Sequence, residues 1–164
     1  MATGKISIYH PNMKGTGGAL QISVVTPHET ENGESVDGSV FLHFAPQATV
    51  GDITNGKRVF PTFDWENKAI MRLTLLEVSE IIGVFRGYKE SLCDGKGFFH
   101  KSPKANSILT IQHKLEPTPG FWIGISRKPI DGDIQKIGIF LSMNEASALE
   151  MSLSGAMSKI AFGV

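Results

Sequence analysis

The side chains of this chain that could do chemistry fall into two sets, and only one of them makes a pattern. Five histidines, His10, His28, His43, His100 and His113, lack the close paired spacing of a zinc site, and the single cysteine, Cys93, cannot complete one. Cys93 stands in an Asp-Gly loop, where a lone thiol is incidental rather than a nucleophile served by a distant histidine. Gly15, Gly17 and Gly18 have the look of a phosphate-cradling loop, but the residues from Leu20 onward alternate as a strand and no helix follows. Asp64 and Glu66, either side of Trp65, read as capping and solvated groups of a turn, and Trp65 itself as a core anchor. These readings exclude an enzyme and leave no metal or small-molecule cofactor to expect.

The second set is a set of aromatics interleaved with Lys, Gln and Ser. Alternation in a strand tells which side chains look away from the core. In SILTIQHKLE, Leu109, Ile111, His113 and Leu115 share one face and Ile108, Thr110, Gln112 and Lys114 the other. In FWIGISRK, Phe121, Ile123 and Ile125 point inward, and Trp122, Gly124, Ser126 and Lys128 outward. In IQKIGIFL, Ile137, Ile139 and Leu141 point inward, leaving Lys136, Gly138 and Phe140 outward. If these strands are neighbours, one surface carries Thr110, Gln112, Lys114, Trp122, Ser126, Lys128, Lys136 and Phe140. Aromatic rings that stack bases, with cations around them for phosphates, are what a single-stranded nucleic acid requires. The competing reading is that Trp122 and Phe140 are covered by a partner subunit or by another sheet.

Earlier in the chain, KAIMRL puts Lys68, Ile70 and Arg72 on one face, and SVFLHFAP alternates Val40, Leu42 and Phe44 with Phe41, His43 and Ala45. Both faces are too apolar for a sheet with one side in water, so another protomer is expected to cover them. Formal net charge is zero, yet the charge is uneven. Residues 26–38 hold Glu29, Glu31, Glu34 and Asp37 and no Lys or Arg, which makes an exposed acidic loop. Between Arg86 and Lys114 there are six basic side chains (Arg86, Lys89, Lys96, Lys101, Lys104, Lys114) against two acidic ones, Glu90 and Asp94.

The elements that must position these groups announce themselves twice. Thr74 stands three residues before Glu77, and Ser142 three before Glu145, and each pair is a capping box at a helix start. Leu75, Leu76, Val78, Ile81, Ile82 and Phe85 then fall at helical spacing up to Gly87, which predicts a helix over 75–86. Ala146, Leu149, Leu153, Ala156, Met157 and Ile160 repeat the pattern ahead of Gly163. Short strand-like runs precede each helix, so the plan is four strands then a helix, twice, with half-repeats over about 5–87 and 96–163 of one domain, 1–164. At 41% hydrophobic the chain can bury a core without staples, and one cysteine favours a reducing compartment. The start, MATGKISIYHPN, has no apolar leader pattern and no run reaches membrane-spanning length, so a cytoplasmic or nucleoid-associated protein is expected.

Several segments together resemble the Whirly family of single-stranded DNA-binding proteins. They are Phe44-Ala45-Pro46, Phe63-Asp64-Trp65 ahead of a strand and helix, Glu90-Ser91 with Cys93, and Phe98-Phe99-His100. Lys14-Gly15-Thr16-Gly17-Gly18-Ala19-Leu20 is similar to a degenerate form of the family's Lys-Gly-Lys-Ala-Ala signature, with Thr16 in place of the second lysine. Extra residues, Gly95 and Lys96 among them, lengthen the stretch from Cys93 to the aromatics. The resemblance implies an α+β fold of two antiparallel four-stranded sheets packed across each other with the helices joining them. It also implies dimers or tetramers, and a kinship with the smaller transcriptional positive cofactor four proteins. With no transit peptide ahead of the domain, a bacterial or phage protein is expected rather than a mature plant one.

The expected function is single-stranded DNA binding with little sequence preference, in transcription, recombination or replication. The expected contact residues are Lys68, Arg72, Lys101, Gln112, Lys114, Trp122, Lys128 and Lys136, with Lys14 carried over from the family signature. The alternatives are a single-stranded RNA binder, a β-rich structural or assembly protein such as a phage scaffold, and a barrel closing Trp122 and Phe140 around a small apolar ligand.

Overall fold

The computed structural model describes residues 4–164. Strands β1 (Lys5–His10), β2 (Gly18–Val25), β3 (Ser39–Thr49) and β4 (Ala69–Leu73) lead into helix α1 (Leu75–Phe85). Strands β5 (Phe98–Lys101), β6 (Ala105–Lys114), β7 (Gly120–Pro129) and β8 (Gln135–Ser142) lead into helix α2 (Met143–Phe162). All pairings within the two main sheets are antiparallel, in the orders β1-β2-β3-β4 and β5-β6-β7-β8.

The first sheet departs from the expected four strands because it has a fifth. β3 is 11 residues long and β4 only five, so β4 covers Val40–Phe44 and leaves the far end of β3 open on that side. Thr62–Phe63 fills the gap, pairing with Thr49 and Gln47 across a register shift. Two small hairpins lie outside the main sheets, His28–Glu29 with Ser35–Val36 inside the acidic loop and Asp52–Thr54 with Lys57–Val59 beyond β3, and a 3-10 turn, Leu92–Gly95, follows α1.

The inward faces of the two sheets and one side of each helix make a single core. Leu20, Leu42, Phe44 and Leu73 from the first sheet and Leu109, Ile111, Phe121, Ile123, Ile139 and Leu141 from the second are at most 2% exposed. Each such side chain contributes roughly 1.5–3 kcal/mol by leaving water. Helix α1 buries Val78, Ile81, Ile82 and Val84, and α2 buries Ala146, Leu149, Leu153, Ala156 and Ile160. Of the residues whose spacing predicted the helices, Leu75, Phe85 and Met157 pack half-buried against the core and Leu76 is exposed, while Val84, outside that pattern, is buried in its place. Leu115 is the exception among the inward set: β6 ends at Lys114 and Leu115 is exposed. Trp65 is half-buried at the turn before β4 and stands outside the core, where an anchor was expected.

The helix starts differ in one respect. At α1 the box is complete, Glu77 N–H donating to Thr74 Oγ1 and Thr74 N–H to Glu77 Oε2 at 2.9 Å. At α2 only half of it forms: Glu145 N–H donates to Ser142 Oγ, while Ser142 is still the last ladder residue of β8, opposite Gly120. The Glu145 carboxylate instead accepts from Ser142 Oγ at 3.1 Å and from His10 Nε2 at 2.6 Å.

Candidate nucleic-acid interface

The register of the second sheet brings the outward residues into ordered rows. Gln112, Trp122 and Phe140 lie side by side across β6, β7 and β8, as do Thr110, Gly124 and Gly138, and Ile108, Ser126 and Lys136. Lys128 stands opposite Asn106, and Lys101 of β5 opposite Asn106 on its other side. Lys114 extends the same face at the end of β6. Six of the expected contact residues, Lys101, Gln112, Lys114, Trp122, Lys128 and Lys136, therefore share one sheet surface.

Trp122 owes its position to two glycines that face each other, Gly124 and Gly138. A Cβ on Gly138 would stand 2.3 Å from Trp122 Cζ2 and 2.9 Å from Cε2 and Cη2, so the indole lies directly over the glycine backbone. Phe140 uses Gly120 in the same way, its ring edge 2.5 Å from where that Cβ would be. A large aromatic laid on a sheet this closely turns its other side outward, and Trp122 is 42% exposed. The hollow around it, about 560 Å³, is lined by Thr16, Lys96, Ile108, Thr110, Ser126 and Lys136 among others. Phe99, opposite Ile108 and 59% exposed, adds a further ring to the surface.

Arg72 is on the first sheet and Lys68 stands immediately before β4, and Lys101 joins them. All three line a groove of about 860 Å³ between the edge of the first sheet and the β5–β6 and β7–β8 ends of the second. Lys104 and Arg127 line the same groove, with Glu66 and Asp133 at its rim. Gln135 Nε2 donates to Asn67 O at 2.5 Å, a bond that ties the two sheets together beside the groove. Arg127 escaped the sequence reading because alternation groups it with the buried Ile123 and Ile125; it follows them past the end of the core and emerges between the sheets. Lys96 and Lys104 belong to the basic stretch legible from the sequence, which gave no sign of which cavity each would line. Lys14 stands apart, on the exposed turn between β1 and β2, its N–H donating to Asn12 Oδ1 at 3.1 Å.

The ion pairs decide which cations are free. Among the described residues the bridges are Arg86–Glu150, Lys89–Glu80, His10–Glu145 and His100–Glu77. Arg86 and Lys89, counted in the basic middle, are thus engaged in holding α1 to its surroundings. Lys68, Arg72, Lys101, Lys104, Lys114, Arg127, Lys128 and Lys136 have no carboxylate of the described residues within 4.0 Å. Arg72 spends one donor on the Asp37 carbonyl, Nη2 to O at 3.0 Å.

On the outer face of the first sheet Phe41 pairs opposite Arg72 and His43 opposite Ile70. Burial, then the charges of Lys68 and Lys5, hold the His43 imidazole below its ordinary range. Elsewhere, desolvation and the Glu80 carboxylate push the Cys93 thiol up, the wrong direction for a nucleophile. Asp64 accepts from Asn67 Nδ2 at 2.7 Å and from Asn67 N–H at 3.1 Å, the bonds that keep its carboxyl low, in the capping role the sequence suggested. Among the described residues no three His, Cys, Asp or Glu side chains are placed to hold a metal ion, and no helix is long and apolar enough to cross a membrane.

No protein-family model matches the sequence, and a search of curated proteins finds no match. Similarity lies in the solved structures. WHY1 from Arabidopsis thaliana superposes with a TM-score of 0.76 at 20% identity, over 99% of this chain and 88% of that one. The plant transcriptional regulator PBF-2 gives 0.72 at 21% identity over 98% and 83%. A guide-RNA-binding protein complex bound to its guide RNA gives 0.62 at 14% identity over 99% and 95%. The doubled four-strand-and-helix plan, read first from two capping boxes, is therefore the one that the Whirly proteins share: this chain has the Whirly fold.

Proposed function

We propose that this protein binds single-stranded nucleic acid, single-stranded DNA foremost, with little sequence preference and without a catalytic step. The observation that carries the reading is the Trp122 indole laid over Gly138 on a face whose lysines have no carboxylate partners. Stacking reads the π-face that every base has, and free Lys and Arg neutralise phosphates with release of counterions. Lys101 faces both the Trp122 sheet and the groove, so a strand can pass from the stacking surface to Lys68, Arg72, Lys104 and Arg127 without leaving positive charge.

Exposed apolar residues on the sheet faces, Ile70 and Ile108 beside Trp122 and Phe99, support a homo-oligomer in which neighbouring protomers share the strand. A cytoplasmic or nucleoid setting, with roles in transcription, recombination or replication, fits such binding. PBF-2 being a plant transcriptional regulator supports the first of those roles. Single-stranded RNA is the second reading, favoured by the neighbour that holds a guide RNA. The test is Trp fluorescence during titration with matched oligodeoxythymidine and oligouridine. Quenching that disappears in Trp122→Phe while binding persists places a base on the indole; an emission unchanged at saturating strand contradicts the stacking surface.

A further inference from the structure

The hairpin Asp52–Thr54 with Lys57–Val59 is left without a task by the fold and by the reading above. Residues 52–60 are exposed without exception, and Ile53 and Phe60 are 73% and 66% exposed. A tight turn at Asn55-Gly56, both at positive φ, closes the arm. Apolar side chains on an arm that contributes nothing to the core are a cost to solubility, which points to a ligand. Near the arm's base Arg58 sets its guanidinium over the Phe60 ring, 5.2 Å from its centroid. Among the described residues neither Lys57 nor Arg58 has a carboxylate within 4.0 Å, and the arm's own carboxylate, Asp52, accepts the Ile53 N–H at 2.7 Å.

We propose that this arm is a second nucleic-acid contact, with Lys57 and Arg58 on phosphates and a base on Phe60, reached by a strand that leaves the Trp122 face. The inference rests on the nucleic-acid reading and extends it. Continuity argues for a strand as occupant. The turn between β1 and β2 supplies Thr16 to the hollow that holds Trp122 and Lys136. The same turn supplies Pro11 and Met13 to the hollow of about 540 Å³ at the arm's base, where they meet Val50, Ile53 and Val59. Lys14 lies between those two contacts in the chain, so positive charge is present along the route. Two cations, Lys57 and Arg58, against the single carboxylate of Asp52, with an aromatic ring beside them, are complementary to a polyanion with stacking bases.

The test is binding anisotropy with oligodeoxythymidines of graded length, from about 4 to about 24 nucleotides, which covers the usual site size of about 4–16 nucleotides and extends beyond it. It compares wild type, Lys57→Ala/Arg58→Ala, Phe60→Ala and Trp122→Ala. Every arm residue is exposed, so these variants leave the core untouched. The expected result is an arm-variant loss of about tenfold on the longest strand and none on the shortest, with Trp122→Ala weakened on both. The double variant should also lower the salt slope on long strands by about 1.4. Arm variants that match wild type at every length, while Trp122→Ala is weakened, overturn the arm and leave the nucleic-acid reading standing. A wild type that binds no strand overturns both. Arm variants that change the mass in light scattering but not the affinity assign the arm to a second copy and overturn the proposal.

Discussion

Trp122 rests on Gly138, a neighbour one strand away, and any side chain at 138 would occupy the space of the indole: its Cβ would lie 2.3 Å from Trp122 Cζ2. Gly138→Ala is therefore expected to lift the ring off the sheet while leaving the cations in place. Strand affinity should fall in Gly138→Ala toward that of Trp122→Ala, itself about 1–3 kcal/mol weaker than wild type, in equilibrium titrations. A Gly138→Ala variant that binds like wild type would remove the indole's orientation from the explanation.

Each helix-start glutamate is met by a histidine from the first strand of the other half of the chain. His100 Nε2 donates to Glu77 Oε1 and His10 Nε2 to Glu145 Oε2, both at 2.6 Å. Glu77 also completes its capping box, whereas Glu145 does not. Glu77→Gln should cost about 1–2 kcal/mol in urea unfolding, and Glu145→Gln less than that. Equal losses would show that the histidine contact, present in both, outweighs the cap.

His43 gives the protein a pH dependence of stability. Burial first, then Lys68 and Lys5, hold its folded-state pKa below the 6.5 of the unfolded chain, so the unfolded state binds the proton more readily. Stability is then full above about pH 6.5 and falls as pH drops through the window from 6.5 to the lowered value. His43→Ala should flatten this part of the profile in thermal unfolding across pH. An NMR titration should also show His43 moving up when strand phosphate meets Lys68; no movement would take the strand away from that edge of the sheet.

The groove cations can be counted by salt. Lys104→Ala and Arg127→Ala should each reduce the slope of log K against log salt by about 0.7, the value for one phosphate on a single strand. Arg86→Ala should leave the slope alone and lower stability instead, because its Nε already donates to Glu150 at 2.7 Å.

Much of this was legible because it depends on local periodicity. β6, β7 and β8 pair without a bulge, so alternation assigned the faces of Gln112, Trp122, Lys128 and Lys136 as the ladder has them. The capping boxes marked α1 and α2 from four residues. Features that depend on chain-distant encounters were not legible. Thr62–Phe63 is too short, between Pro61 and Asp64, to signal a strand, and it forms because β4 leaves the end of β3 unpaired. The groove exists only where two sheets meet, which is why Arg127 looked like a core-side residue. Arg86 counted toward a basic middle that its partner, 64 residues away, neutralises.

The most direct measurement is fluorescence anisotropy of a labelled single-stranded oligonucleotide and its duplex, titrated with the protein at low and raised salt. Tight binding of the single strand that weakens steeply with salt, with weaker duplex binding, is the expected result. Absence of binding at low salt would contradict the nucleic-acid function and leave the outward aromatic faces to self-assembly.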